Sequence, residues 1–155
     1  MPNILVLCRA NQFRSALAEY ALRRQLASAE WRVTSAGVWA EDGLPAARGL
    51  AVWSEMPELE QHRSRALDLV ILQESDLILV MEAGQKEAVL LEFPGAAGRV
   101  HLLSEMSQPL AYDLPDPALG GENPRQLAAE ILMLVEKGLA RIIQLAEANA
   151  ASRPG

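Results

Sequence analysis

Ile4-Leu5-Val6-Leu7-Cys8-Arg9-Ala10-Asn11-Gln12-Phe13-Arg14-Ser15 is the stretch on which the fold turns. Its first part is a short apolar run, which suits a strand covered on both faces in a parallel sheet. Beyond it, Leu17, Ala18, Ala21, Leu22 and Leu26 recur at helical spacing. The order is therefore strand, tight loop, helix N-terminus. Such a helix start offers unpaired N–H groups and the positive end of a dipole, which together suit a phosphate-like anion. The same field favours a thiolate, and Cys8 is the only cysteine. The Arg14 guanidinium can grip two oxygens of an anion at once. A nucleophile beneath a bound phosphate is the arrangement of a phosphoryl-transfer site.

Outward from this stretch, apolar runs and helical patterns alternate. Strands are expected at 3–7, 31–35, 76–81 and 99–103. Helices are expected at 14–26, from Pro45 to about Met56, at 66–73, at 85–93 and from Asn123-Pro124 to about Ala146. In the last of these, Asn123 is the cap and Pro124 fills the first turn. Leu59 to Arg65 reads as polar and irregular. Pro109 to Gly121, rich in proline and glycine, reads as a loop long enough to be functional. The tail from Ala148 is expected to fray. Strand-helix alternation implies right-handed crossovers and a parallel sheet with helices on both faces, an α/β doubly wound sandwich. Ligands in such sheets sit at the carboxyl ends of the strands, where Cys8 falls.

Composition narrows the function. The chain has 155 residues, the scale of one domain, here 1–155 with order expected from about 3 to 146. A net charge of −6 argues against general nucleic-acid binding. One cysteine excludes an internal disulfide framework and fits a reducing compartment. No secretory leader pattern and no membrane-length apolar run is visible, so a cytoplasmic location is expected. His62 and His101 are far apart and lack cysteine partners, so neither a metal nor another cofactor is expected. Oligomeric state is not encoded in any pattern here.

Cys8, Asn11, Arg14 and Ser15 together resemble the phosphate loop of the low molecular weight protein tyrosine phosphatases, bacterial type, which reads Cys-x-Gly-Asn-x-Cys-Arg-Ser-Pro. Ala10, Phe13 and Ala16 depart from it, standing for glycine, the second cysteine and proline. The resemblance extends along the chain. Trp31 to Gly37 is similar to the family's second strand, which ends in Ser-Ala. His62 and Arg65 are similar to a family His followed by Ala-Arg. Asp76 to Glu82 is similar to its third strand, ending in Met-Asp or Met-Glu. Asp113-Leu114-Pro115-Asp116-Pro117 resembles its Asp-x-Pro-Asp-Pro loop.

The resemblance implies a four-stranded sheet in the order 2-1-3-4. It implies Cys8 as nucleophile, Arg14 as oxyanion clamp, Asp116 as general acid, and Arg9 to Ser15 as the phosphate-binding loop. Asn11, Ser15, Ser35 and His62 would form a supporting network. The substrate implied is a phosphorylated protein, with phosphate or another oxyanion in the loop. On residues alone, Asp-Pro also starts turns, His62 could be a surface histidine and Ser35 a strand-end serine. At the mouth, Trp39 is a candidate wall, Ala118 stands where the family carries an aromatic, and Arg9 and Gln12 face outward. Trp53 reads as core.

Two other readings share the loop. An inactive phosphate-binding protein is motivated by Ala10, since alanine in a left-handed conformation costs roughly 1–2 kcal/mol. Hydrolysis of phosphoarginine would use the same groups. Arsenate reductases of the thioredoxin-coupled type resemble this fold, but they relay oxidation through further cysteines that this chain lacks.

Overall fold

The computed structural model describes residues 1–28, 30–107, 110–121 and 123–153. Its elements are β1 Asn3–Cys8, α1 Arg14–Gln25, β2 Arg32–Gly37, α2 Leu50–Trp53, α3 Leu69–Glu74, β3 Leu77–Val80, α4 Ala83–Glu92, β4 Val100–Leu102 and α5 Pro124–Ser152. The four strands form one parallel sheet in the order β2-β1-β3-β4, as expected.

The pleat of β1 explains its unbroken apolar run. Ile4, Val6 and Cys8 pack with α1 and α5 on one face. Leu5 and Leu7 pack with Leu72 of α3 and Val89 of α4 on the other. A strand buried on both sides has no polar face to display. Each such leucine or isoleucine contributes about 1.5–3 kcal/mol on burial.

Several expected elements fall differently. The helix expected from Pro45 shrinks to Leu50–Trp53. Pro45 instead bridges Arg63 in antiparallel fashion, and Gly49 turns the chain at φ 87° before α2 begins. The segment expected to be irregular holds a 3-10 turn, Pro57–Gln61. The helix expected at 66–73 begins at Leu69, because the Asp68 carboxylate caps it by accepting from the Ile71 N–H at 2.8 Å. Ala36 and Gly37 continue β2 rather than ending it. The expected start of the long loop, Pro109, lies outside the described residues, as do Pro154 and Gly155.

The last helix runs past Ala146 to Ser152 instead of fraying. Arg153 explains this. Its guanidinium donates to the Gln73 and Glu74 carbonyls and pairs with Asp76 at 2.9 Å, beside the start of β3. At its other end the Asn123 side chain accepts from the Arg125 and Gln126 N–H groups, the cap expected from sequence. Among the described residues no helix is long and apolar enough to cross a membrane.

Candidate active site

The loop from Arg9 to Phe13 links β1 to α1, and its polar groups are sorted by direction. Carbonyls bond away from the loop's interior: Cys8 O accepts from Val38 N and Arg9 O from Trp39 N, both at 2.9 Å. Gln12 O accepts from Ala47 N at 2.7 Å and Phe13 O from Leu17 N at 2.9 Å. Asn11 O accepts from His62 Nε2 at 2.7 Å. The N–H groups from Arg9 to Ser15 have no acceptor among the described residues. Phe13 stands at the cap of α1, and a phenyl ring cannot satisfy the first N–H groups of a helix. A row of unsatisfied donors at a helix start is an anion-binding concavity.

Asn11 is the residue that pays for the turn, with φ 59°. Its amide is fixed at every atom. Oδ1 accepts from Arg65 N at 3.0 Å, and Nδ2 donates to Ser15 Oγ and Ser35 Oγ at 2.8 Å each. Ala10 does not have a positive φ, so the strain that alanine would suffer in a left-handed turn does not arise.

The network has a direction. Ser35 donates its hydroxyl to Glu19 Oε1 and accepts from Asn11. Ser15 Oγ already accepts from Asn11, so its own hydrogen is available to Cys8 Sγ, 3.0 Å away. His62 donates through Nε2 and turns Nδ1 toward Glu19 Oε1 at 3.9 Å. Burial pushes the Glu19 carboxyl up from its ordinary value; the Ser35 hydrogen bond and the Arg23 charge oppose this. The expected set of Asn11, Ser15, Ser35 and His62 thus lies together.

Arg14 is almost fully buried, at 1% exposure. Its Nη1 donates to Glu82 Oε2 at 2.8 Å and to the Leu114 carbonyl at 2.7 Å. Its Nη2 lies 3.7 Å from Asp116 Oδ2. Asp116 itself is held by a turn in which its Oδ1 accepts from Ala118 N at 3.0 Å. Asp113 faces elsewhere and accepts from Ala83 N at 2.9 Å, at the start of α4. A cavity of about 290 Å³ opens over the loop, lined by Cys8, Phe13, Arg14, Trp53, Asp116 and Ala118 among others.

A family model of low molecular weight phosphotyrosine protein phosphatases matches residues 3–151. The chain belongs to this family. A relative from Ralstonia nicotianae, described as probable low molecular weight protein-tyrosine-phosphatase EpsP, is 34% identical over 140 residues, covering 88% of this chain and 90% of its own. The phosphatase Wzb of Escherichia coli K12 is 32% identical, over 87% of this chain and 88% of its own. Among solved structures, the YwlE arginine phosphatase of Geobacillus stearothermophilus superposes with a TM-score of 0.80 at 26% identity, covering 100% of this chain and 99% of that one. Wzb from Escherichia coli K30, in complex with sulphate, gives 0.75 at 28%, over 93% and 98%. Low molecular weight phosphatases are phosphoric monoester hydrolases, and this chain is one by family.

Within the phosphatase frame, two tryptophans take different places from those expected. Trp39 is 76% exposed and lies under the Arg9 guanidinium, 5.1 Å from ring centre, rather than lining the cavity. Trp53 does line it, half-buried, with its ring centre 6.5 Å from that of Phe13. Ala118 lines the cavity as expected of a mouth position, and so does Gln12, whose Nε2 donates to the Pro45 carbonyl at 2.9 Å. Arg9 Nη1 lies 3.9 Å from Asp116 Oδ2. Sequence reasoning passed over Glu19 and Glu82 as site residues. For Glu19 a signal existed: a carboxylate four residues after Ser15 and four before Arg23, among alanines and leucines on the buried side of α1.

Proposed function

We propose that the protein is a phosphotyrosine protein phosphatase working through a cysteinyl-phosphate. Cys8 Sγ attacks phosphorus, and the bond from phosphorus to the tyrosyl oxygen breaks. Arg14 and the inward N–H groups of the loop hold the equatorial oxygens, where transition-state charge spreads. Asp116 gives its proton to the departing phenolate. In the second step the Asp116 carboxylate takes a proton from water, the water oxygen attacks phosphorus, and sulfur leaves as a thiolate that receives the Ser15 hydrogen bond. Phosphate is the product, and no cofactor takes part. The observation that carries this reading is the convergence of Cys8, Arg14 and Asp116 on one cleft above a loop whose free donors include every N–H from Arg9 to Ser15. The relaxed backbone at Ala10 supports an active loop over an inactive one.

The likeness to YwlE, described as an arginine phosphatase, favours a second reading, hydrolysis of phosphoarginine by the same groups. A panel separates them. Wild type and Cys8→Ser are assayed on a phosphotyrosine peptide, a phosphoarginine peptide and para-nitrophenyl phosphate. Turnover of the first well above the second, lost in Cys8→Ser, is the expected result. The reverse order selects the arginine reading, and turnover that survives Cys8→Ser overturns both.

A further inference from the structure

The rim of the cleft carries arginines that the chemistry does not use. Arg48, exposed, lines the cavity beside Ala47 and Trp53. Arg125, exposed on the first turn of α5, lies over the Trp53 ring at 5.7 Å, next to Pro124, which also lines the cavity. Both cations thus lie at the cleft that the Trp53 ring helps to line. At the loop itself, by contrast, Arg9 and Arg14 each face a carboxylate. Neither Arg48 nor Arg125 is in an ion pair among the described residues. In a chain of net charge −6, this leaves a local positive rim on an acidic molecule.

A phosphotyrosyl ring entering the cleft would meet Trp53, Phe13, Pro117 and Ala118, which line it. Its phosphate would occupy the loop. Residues flanking the tyrosine stay outside, at the level of Arg48 and Arg125. We propose that these two arginines select phosphotyrosine in an acidic segment, by pairing with carboxylates next to it. The inference rests on the phosphotyrosine reading and adds the substrate's flanking charge to it. Rim charges act through attraction over several ångströms, so they raise capture of the matching partner and fade with salt. Stacking on Trp53 restrains Arg125, which reduces the entropy lost when it engages a carboxylate.

The test uses three phosphotyrosine peptides that differ only in their flanking residues, which are glutamate, alanine or lysine. At low salt the wild type should show kcat/KM for the glutamate peptide about tenfold above the lysine peptide and about threefold above the alanine peptide. Raising salt to about 1 M, where the screening length is ~3 Å, should bring the ratios toward one. The Arg48→Gln, Arg125→Gln double variant should show ratios near one at low salt. Equal rates on all three peptides in the wild type, or a preference that the double variant keeps, overturns the inference while leaving the phosphotyrosine reading standing. No turnover of any peptide, with para-nitrophenyl phosphate still hydrolysed, overturns that reading and the inference with it.

Discussion

Glu82 holds Arg14 in place: the guanidinium Nη1 donates to Glu82 Oε2 at 2.8 Å, across the gap between β3 and α1. A planar fork is useful to a transition state only if its plane is fixed beforehand. Glu82→Ala should therefore lower kcat/KM on para-nitrophenyl phosphate about tenfold, with most of the loss in kcat. Stability should fall by about 1.5–3 kcal/mol, the scale of a charged hydrogen bond. Glu82→Gln keeps an acceptor oxygen and should recover most of the rate. Equal rates for Glu82→Ala and wild type would show that the Leu114 carbonyl alone suffices.

Asp116→Asn isolates the proton. The asparagine can still accept from Ala118 N, so the turn is kept. Turnover should fall about a hundredfold on aryl phosphates with poor leaving groups and much less on those with good ones. Asp113→Asn should do less on both, since Asp113 faces the start of α4. A uniform loss across leaving groups for Asp116→Asn would mean that it acts by holding the loop.

Glu19 makes stability depend on pH with a definite sign. Its folded value is raised above the ordinary 4.5, first by burial. Above that ordinary value the unfolded chain has released a proton that the folded protein still holds, so stability falls as pH rises through the window upward from 4.5. Glu19→Gln removes the titration and keeps an oxygen for Ser35. The Tm of this variant minus that of wild type should move in the variant's favour as pH rises from 4.5. A difference that is flat or moves the other way would contradict the burial argument.

Gly37 lies against the backbone of the loop. A Cβ there would sit 2.5 Å from the Arg9 carbonyl oxygen, 2.6 Å from the Ala40 Cβ and 3.1 Å from the Ala10 carbonyl carbon. Gly37→Ala should destabilise the fold by about 2 kcal/mol and raise KM, because the loop must move to admit the methyl. Unchanged KM with lowered Tm would place the relief on the Ala40 side.

Peroxide should inactivate the protein, with poor recovery on adding dithiothreitol. Cys8 is the only cysteine, and Phe13 stands where the family carries a second. Sulfenic acid without a resolving thiol proceeds to sulfinic acid, which a thiol does not reverse. Phe13→Cys should improve recovery, at a cost of about 3 kcal/mol for the lost ring. Intact mass after peroxide reports the added oxygens. Full recovery in the wild type without a two-oxygen adduct would point to a sulfenamide.

The sheet was legible because each strand of its middle is a plain apolar run, and the loop because Cys8, Asn11, Arg14 and Ser15 are close in sequence. Asp116 was legible only beside a family pattern, since an Asp-Pro pair alone also begins turns. The carboxylates behind these groups were not. Glu82 reaches Arg14 across 68 positions and Glu19 reaches Ser35 across 16, and pattern reading has no term for such pairings. The region from Pro45 to Trp53 misled for a related reason. Pro45 looks like a helix start locally, but a bridge to Arg63 claims it. Trp53 looked apolar and central, and it is both packed on the core and open to the cleft.

The α5 helix joins two places that have nothing chemical in common. Twenty-nine residues at 1.5 Å each make a rod of about 43 Å. One tip carries Pro124 and Arg125 to the cleft, and beyond the other Arg153 is moored beside the opposite ends of the strands, on Asp76 and the Gln73 and Glu74 carbonyls. A stiff rod moored at its far tip cannot slide along its axis without lifting that mooring. The height of the cleft's arginine-bearing lip is thus gauged from the back of the molecule, at the strand ends away from the cleft.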